Sequence, residues 1–95
     1  MRFLWDETKN RSNKADHHVS FETAMLVFED PLHLSIQDRV ERGEERWQTI
    51  GLADHVMMLL VAHTIAEADG EELVRIVSAR KATPAERRRY EETYR

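Results

Sequence analysis

The chain contains no cysteine. That removes disulfides, thiolate metal ligands and cysteine nucleophiles together. Its two prolines read as helix punctuation: Pro31 at a helix end and Pro84 at a helix start. The longest apolar run, Val56 to Ala62, is far too short to span a bilayer. The opening Met-Arg-Phe-Leu-Trp-Asp turns charged too early for a secretory leader. There is no internal repeat and no low-complexity segment. With 95 residues, the expectation is one domain over residues 1–95 with a modest core. That domain is expected to be soluble and cytoplasmic, away from membranes.

What is present is charge, and it is segregated. The net charge of −4 argues against a nucleic-acid partner, but the distribution matters more than the sum. From Met1 to Val74 there are 7 basic and 15 acidic residues, a net of −8. From Arg75 to Arg95 there are 7 basic and 3 acidic residues, a net of +4. The C-terminal part therefore suits an anionic partner. A solvated helix face balancing an acidic body would produce the same count.

Phe3, Leu4 and Trp5 form a short strand candidate ending at Asp6, which can cap a helix over Glu7 to Ala15. That helix has almost no apolar face. It is held by specific hydrogen bonds, presents a surface, or frays. After Ser20, a second cap, Phe21, Ala24, Met25 and Phe28 fall at helical spacing and point to a core. Val19 is placed to staple against Ala24. Leu32, Leu34 and Ile36 alternate as a short edge strand, and Asp38 to Glu44 reads as a charged loop. Strands are expected at Glu45 to Gly51 and at Val56 to Ile65, with a turn at Asp69-Gly70. The pattern implies an α+β fold with an N-terminal helix pair, an antiparallel sheet and a basic C-terminal helix.

The last strand and helix carry the most information. Strict alternation from Leu73 sets Val74, Ile76 and Ser78 on one face, and Leu73, Arg75, Val77 and Ala79 on the other. Thr83-Pro84-Ala85-Glu86 is a capping box with proline at the first helical position. The helix it opens bears Arg87, Arg88 and Arg89 and offers a core little beyond Ala85, Tyr90 and Tyr94.

An ordered set of motifs adds a family. Phe3-Leu4-Trp5-Asp6 with Lys9 and Asn13, then Val19-Ser20-Phe21-Glu22, Phe28 and Asp30-Pro31, open the chain. Gly43-Glu44-Glu45-Arg46-Trp47, Ile50-Gly51, His63-Thr64 and Arg75-Ile76-Val77-Ser78-Ala79-Arg80-Lys81-Ala82-Thr83 complete it. Together they resemble the BrnT family of type II toxin–antitoxin toxins. The resemblance implies a small RelE-like α+β fold and metal-independent ribonuclease activity. It also implies neutralisation by a BrnA-like antitoxin, through which the pair would bind DNA. Three positions depart from the family pattern: Asp16 stands where a lysine is usual, His18 where a glycine is usual, and Ala66 where many members carry arginine. Two basic positions are lost. A second reading stays open: a weakened toxin acting with its antitoxin as a corepressor.

RNA cleavage without a metal needs deprotonation of the 2′-OH, positive charge for the transition state and a proton for the leaving oxygen. His63, in a strong strand beside the basic strand, is the candidate for proton transfer; a satisfied core histidine is the alternative. Arg46, Arg75 and Arg80 are the charge-stabilising candidates, since a guanidinium can engage two phosphate oxygens. Structural ion pairing with Glu45, Glu71 or Glu72 would also explain them. Arg75 and Arg80 have opposite strand parity, so one site can use both only if the strand ends or twists between them. Lys9, Lys81 and Arg87 are candidate RNA contacts. Adjacent His17 and His18 point apart, and no ligand motif is present, so no metal or other cofactor is expected.

Overall fold

The computed structural model describes residues 1–93; the expected core contribution of Tyr94 lies outside the described residues. The elements are β1 (Arg2–Leu4), α1 (Glu7–His17), α2 (Phe21–Met25) running into a 3-10 turn (Leu26–Glu29), β2 (Leu34–Glu41), β3 (Glu44–Ala53), β4 (Met57–Ala68), β5 (Glu71–Lys81) and α3 (Pro84–Glu92). The class is α+β, with five strands in the order β1-β5-β4-β3-β2. Strands β2 to β5 form an antiparallel meander. β1 joins parallel to β5, so the sheet is mixed and the purely antiparallel expectation is corrected. No hairpin links β1 to β5, so turn geometry does not dictate their relative direction.

Two further boundaries differ from the sequence reading. The charged stretch 38–44 is not a loop. Most of it is strand, and the reversal needs only Arg42 and Gly43, both at positive φ (53° and 77°). Asp69 and Gly70 do the same between β4 and β5 (54° and 75°). Paired positive φ values match the two-residue turns whose twist suits a hairpin. Val56 belongs to the preceding turn, 82% exposed, and β4 begins after it.

Helix α1 lacks an apolar face because buried amides tie it down instead. Asn13 Nδ2 donates to the carbonyls of Val19 (2.8 Å) and Ala79 (2.7 Å), and its Oδ1 accepts from the Ala79 amide. One side chain thus pairs the edge of β5 where the short β1 has ended. Asn10 Oδ1 accepts from the Phe21 amide, and its Nδ2 donates to Glu22. Asp6 caps the helix start through the amides of Thr8 and Lys9. At the other end His18 takes the left-handed conformation (φ 60°, ψ 27°), the one that favours glycine at a helix stop.

The helical layer covers one sheet face. Val19, Phe21, Ala24 and Val27 pack there on Leu59, Val61, Ile76 and Ala79. Close approach is possible because β3 has Gly51, where a Cβ would lie 2.8 Å from Val27 Cγ1. The other face is covered at one end only, where Tyr90 of α3 meets Ile50, Met58 and Leu60. The Tyr90 hydroxyl donates to Asp30 Oδ2 (2.7 Å), which also accepts from the Leu52 amide, while Oδ1 accepts from Leu32. Burial alone would raise the Asp30 carboxyl, but these donors outweigh it and hold it below its ordinary value. Asp30 therefore fastens α3 to β3 and to the 3-10 turn. Among the described residues no helix is long and apolar enough to cross a membrane.

The irregularity that matters most lies in β5. Ser78 pairs with Ala62, but Ile76 pairs with His63, so Val77 is an extra residue. This bulge resets the alternation. Val74, Ile76 and Ala79 are buried, whereas Arg75, Ser78 and Arg80 oppose Thr64, Ala62 and Leu60 of β4. The strict alternation expected over Leu73–Ala79 is corrected here: Ser78 and Ala79 exchange faces.

Candidate functional site

Because of that bulge, Arg75 and Arg80 share the face away from the helical layer. Arg46 of β3 joins them, since it opposes Thr64, which opposes Arg75. Thr64 is buried between the two arginines. A cleft of ≈ 90 Å³ is lined by Asp6, Lys9, Arg46, Arg75, Ile76 and Val77. The bulge residue thus forms part of its wall, and the start of α1 supplies Asp6 and Lys9. Three cationic side chains from three elements, Lys9, Arg46 and Arg75, line it together with Asp6.

Arg46 and Arg75 also share an ion-pair partner. Glu44, two residues before Arg46 on the same strand, presents Oε1 to Arg75 Nη2 and, at 3.7 Å, to Arg46 Nη2. The Arg46 side chain is 22% exposed and that of Arg75 46%. Arg46 Nε is buried and has no acceptor among the described residues.

Arg80 is on the same face but does not reach this cleft. It opposes Leu60, four residues along β4 from Thr64, or about 13 Å at strand spacing. Its guanidinium forks onto Glu86, with Nη1 to Oε1 at 2.8 Å and Nη2 to Oε2 at 3.0 Å. Glu86 Oε1 also accepts the Thr83 amide and completes the capping box. Hydrogen bonding from Arg80 holds the Glu86 carboxyl below its ordinary value. Arg80 is a clamp on the start of α3.

His63 lies on the opposite face, within the core, at 0% exposure. Its Nε2 is 2.7 Å from Thr49 Oγ1, and the Phe28 ring meets it edge-on at 5.0 Å. Burial pushes the imidazole down to about 4, against an upward pull from the Thr64 carbonyl. A neutral ring at physiological pH fits a hydrogen-bonded core residue. The sheet separates it from the arginines.

The remaining candidates are peripheral. Lys81, opposite Leu59, is exposed at the end of β5 on the helix-covered side. Arg87, with Arg88 and Arg89, is exposed on α3 and makes no ion pair with described residues. Of the two lost basic positions, Ala66 opposes Leu73 on the arginine face. Asp16 lies seven residues beyond Lys9 in α1, about 10 Å further along the axis. Among the described residues no three His, Asp or Glu side chains are grouped as a metal site needs.

Comparison with known proteins bears on this arrangement. Residues 5–86 match the family described as ribonuclease toxin, BrnT, of type II toxin–antitoxin systems. The chain belongs to the BrnT family. The crystal structure of the Brucella abortus ribonuclease toxin BrnT superposes with a TM-score of 0.66 at 26% identity. That match covers 87% of this chain and 97% of the Brucella chain. No curated protein matches the sequence. Belonging to BrnT implies an antitoxin partner as well as a ribonuclease function at the level of the family. The sequence had singled out Lys9, Arg46 and Arg75 separately; Asp6, read only as a cap, and Glu44 were missed. Glu44 was visible as part of the Gly43-to-Trp47 motif and as an acid in a supposed loop, with nothing local to mark its partner 31 residues away.

Proposed function

We propose that this BrnT-family chain is a metal-independent endoribonuclease acting at the Lys9–Arg46–Arg75 cleft. The observation that supports it is that these three cations line one cleft with Asp6 and the bulge residue Val77. Two guanidinium groups placed across Thr64 suit a phosphorane-like transition state, whose charge builds as the 2′-oxygen attacks phosphorus. We assign the 2′-OH proton to Asp6. Its Oδ1 holds the α1 amides, which leaves Oδ2 for a proton. Lys9 is then the acid for the departing 5′-oxygen. His63 and Arg80 act as framework on this reading, one behind the sheet and one beneath α3. We also read the fold as RelE-like and the site of action as the cytoplasm.

The test is cleavage of single-stranded RNA by purified variants. Arg46→Ala and Arg75→Ala should each lower kcat/KM by about 100-fold, the order seen when a transition-state donor is removed. Asp6→Asn keeps the helix cap, since asparagine caps as well as aspartate, and should lower kcat by about 100-fold. Wild-type cleavage by Arg75→Ala would end this assignment.

Neutralisation is assigned to a BrnA-like antitoxin that binds over the same charge and carries the DNA-binding function of the pair. The exposed Arg87, Arg88 and Arg89 steer both RNA and antitoxin. Replacing them with glutamate should slow antitoxin association and flatten its salt dependence. A second reading, the weakened corepressor, is favoured by one observation: among the described residues no histidine lines the cleft. Expression without antitoxin separates the two. Growth arrest supports the nuclease; normal growth with antitoxin binding intact supports the corepressor.

A further inference from the structure

A carboxylate already occupies the space between the two arginines. Glu44 is the first residue of β3, beside the Arg42–Gly43 turn, and it is exposed. Only its carboxylate reaches inward, and a single oxygen serves both guanidinium groups. The fit is unequal. Arg75 is hydrogen-bonded, but Arg46 Nη2 stays 3.7 Å away and its buried Nε has no acceptor among the described residues. A phosphodiester has two non-bridging oxygens and could satisfy both arginines at once. Glu44 and Arg75 are nearly half-exposed and Glu44 stands 3.7 Å from Arg46, so solvent screens the pairs and they bind weakly. Gly43 has nothing within 4 Å of where a side chain would begin, so the turn is not packed against a neighbour.

We infer that Glu44 marks the seat of a substrate phosphate oxygen between Arg46 and Arg75, and that its carboxylate is an internal competitor which RNA must displace. The inference rests on the reading of the cleft as the RNA site and adds a subsite and a restraint to it. Glu44 leaves the arginines when RNA enters and returns when product departs. It therefore lowers affinity without taking part in bond breaking.

The experiment uses a short fluorescein-labelled 2′-O-methyl RNA, which binds but cannot be cleaved, together with kinetics on the unmodified strand. Glu44→Gln keeps the side-chain length and removes the charge. It should tighten binding about three- to five-fold at low salt, the range expected for losing exposed ion pairs. KM should fall by the same factor with kcat unchanged, and the gain should close at high salt. Glu44→Ala should behave alike, which guards against a new contact made by glutamine. A fall in kcat at constant KM would place Glu44 in the chemistry and overturn the inference. So would unchanged binding and kinetics. Arg46→Ala and Arg75→Ala serve as the reference. If they bind the RNA as the wild type does, the cleft reading itself fails. If they lose binding while Glu44→Gln changes nothing, only the role of Glu44 falls.

Discussion

His63 and Thr64 are neighbours on β4, and their partners Ile76 and Arg75 are neighbours on β5. The first pair faces the helical layer and the second faces the open side. One residue of register separates a dry core from a charged surface. On the covered face an ionisable group is neutral, hydrogen-bonded and enclosed. On the open face Arg46 and Arg75 keep access to solvent and share one carboxylate, Glu44. Residue type therefore says less about function than side of the sheet, because the low dielectric of the core suppresses charge and water preserves it.

The severest way to break this contrast is to insert one alanine between Ser78 and Ala79, where β5 and β4 pair residue for residue. Alternation then forces either Arg80 towards the core or Ile76 and Val74 towards solvent. Either outcome costs several kcal/mol, comparable to the whole stability of a domain this size. The expected result is loss of a cooperative urea transition. An insertion variant that unfolds like the wild type would mean that register in β5 does not set the faces.

A milder pair of substitutions should dissociate the two faces. His63→Ala removes a buried ring and one hydrogen bond of the Thr49 hydroxyl, which keeps its bond to Ser35, so it should cost roughly 2–4 kcal/mol of stability. Cleavage per folded molecule should persist. Arg75→Ala should cost less than about 1 kcal/mol of stability, being exposed and ion-paired at the surface. Urea denaturation of both variants, alongside their RNA cleavage, checks the crossover.

The same histidine predicts a pH dependence. Its folded pKa of about 4 lies below the ordinary 6.5, so the unfolded chain binds the proton more readily. Stability is then full above the unfolded value and is lost as pH falls from 6.5 towards 4. Between pH 7 and pH 5 the loss should be about 2 kcal/mol. Asp30 acts in a separate window. Its folded carboxyl is depressed from 3.8, so its contribution disappears only as pH falls below that value. His63→Gln should abolish the loss between pH 7 and pH 5 and spare the one below. Comparing urea midpoints across these windows measures both.

Elements with local chemical signals were legible before the structure. Thr83, Pro84 and Glu86 mark the start of α3, and Asp69-Gly70 marks a hairpin. The strand expected at Glu45 to Gly51 lies within β3. The features that were hidden depend on distant partners. Nothing in Arg-Ile-Val-Ser-Ala announces a bulge, because Val77 is as good a strand residue as its neighbours. The polarity of α1 concealed Asn13, whose partner at Ala79 is 66 residues away. Asp30 looked like a helix stop, yet its hydroxyl donor Tyr90 comes 60 residues later. The arginine types were readable in the candidate site. Their convergence was not, since it needs two strand pairings, the bulge and the α1 start together.

The smallest expected effect gives the finest comparison of the faces. Ala66 and Ile65 are adjacent and both exposed. Ala66 opposes Leu73 on the side of Arg75, whereas Ile65 opposes Val74 on the side of His63. Both substitutions to arginine add the same charge, so general electrostatic attraction is equal. Only Ala66→Arg places it two residues from Thr64, within reach of a strand lying over Arg46 and Arg75. A further phosphate contact should tighten uncleavable RNA a few-fold and steepen the slope of log affinity against log salt by about 0.7. Ile65→Arg should leave that slope unchanged. Titration of both variants with the same oligonucleotide across a salt series measures the difference. Equal slopes would show that RNA responds to the net charge of the protein and not to one face of its sheet.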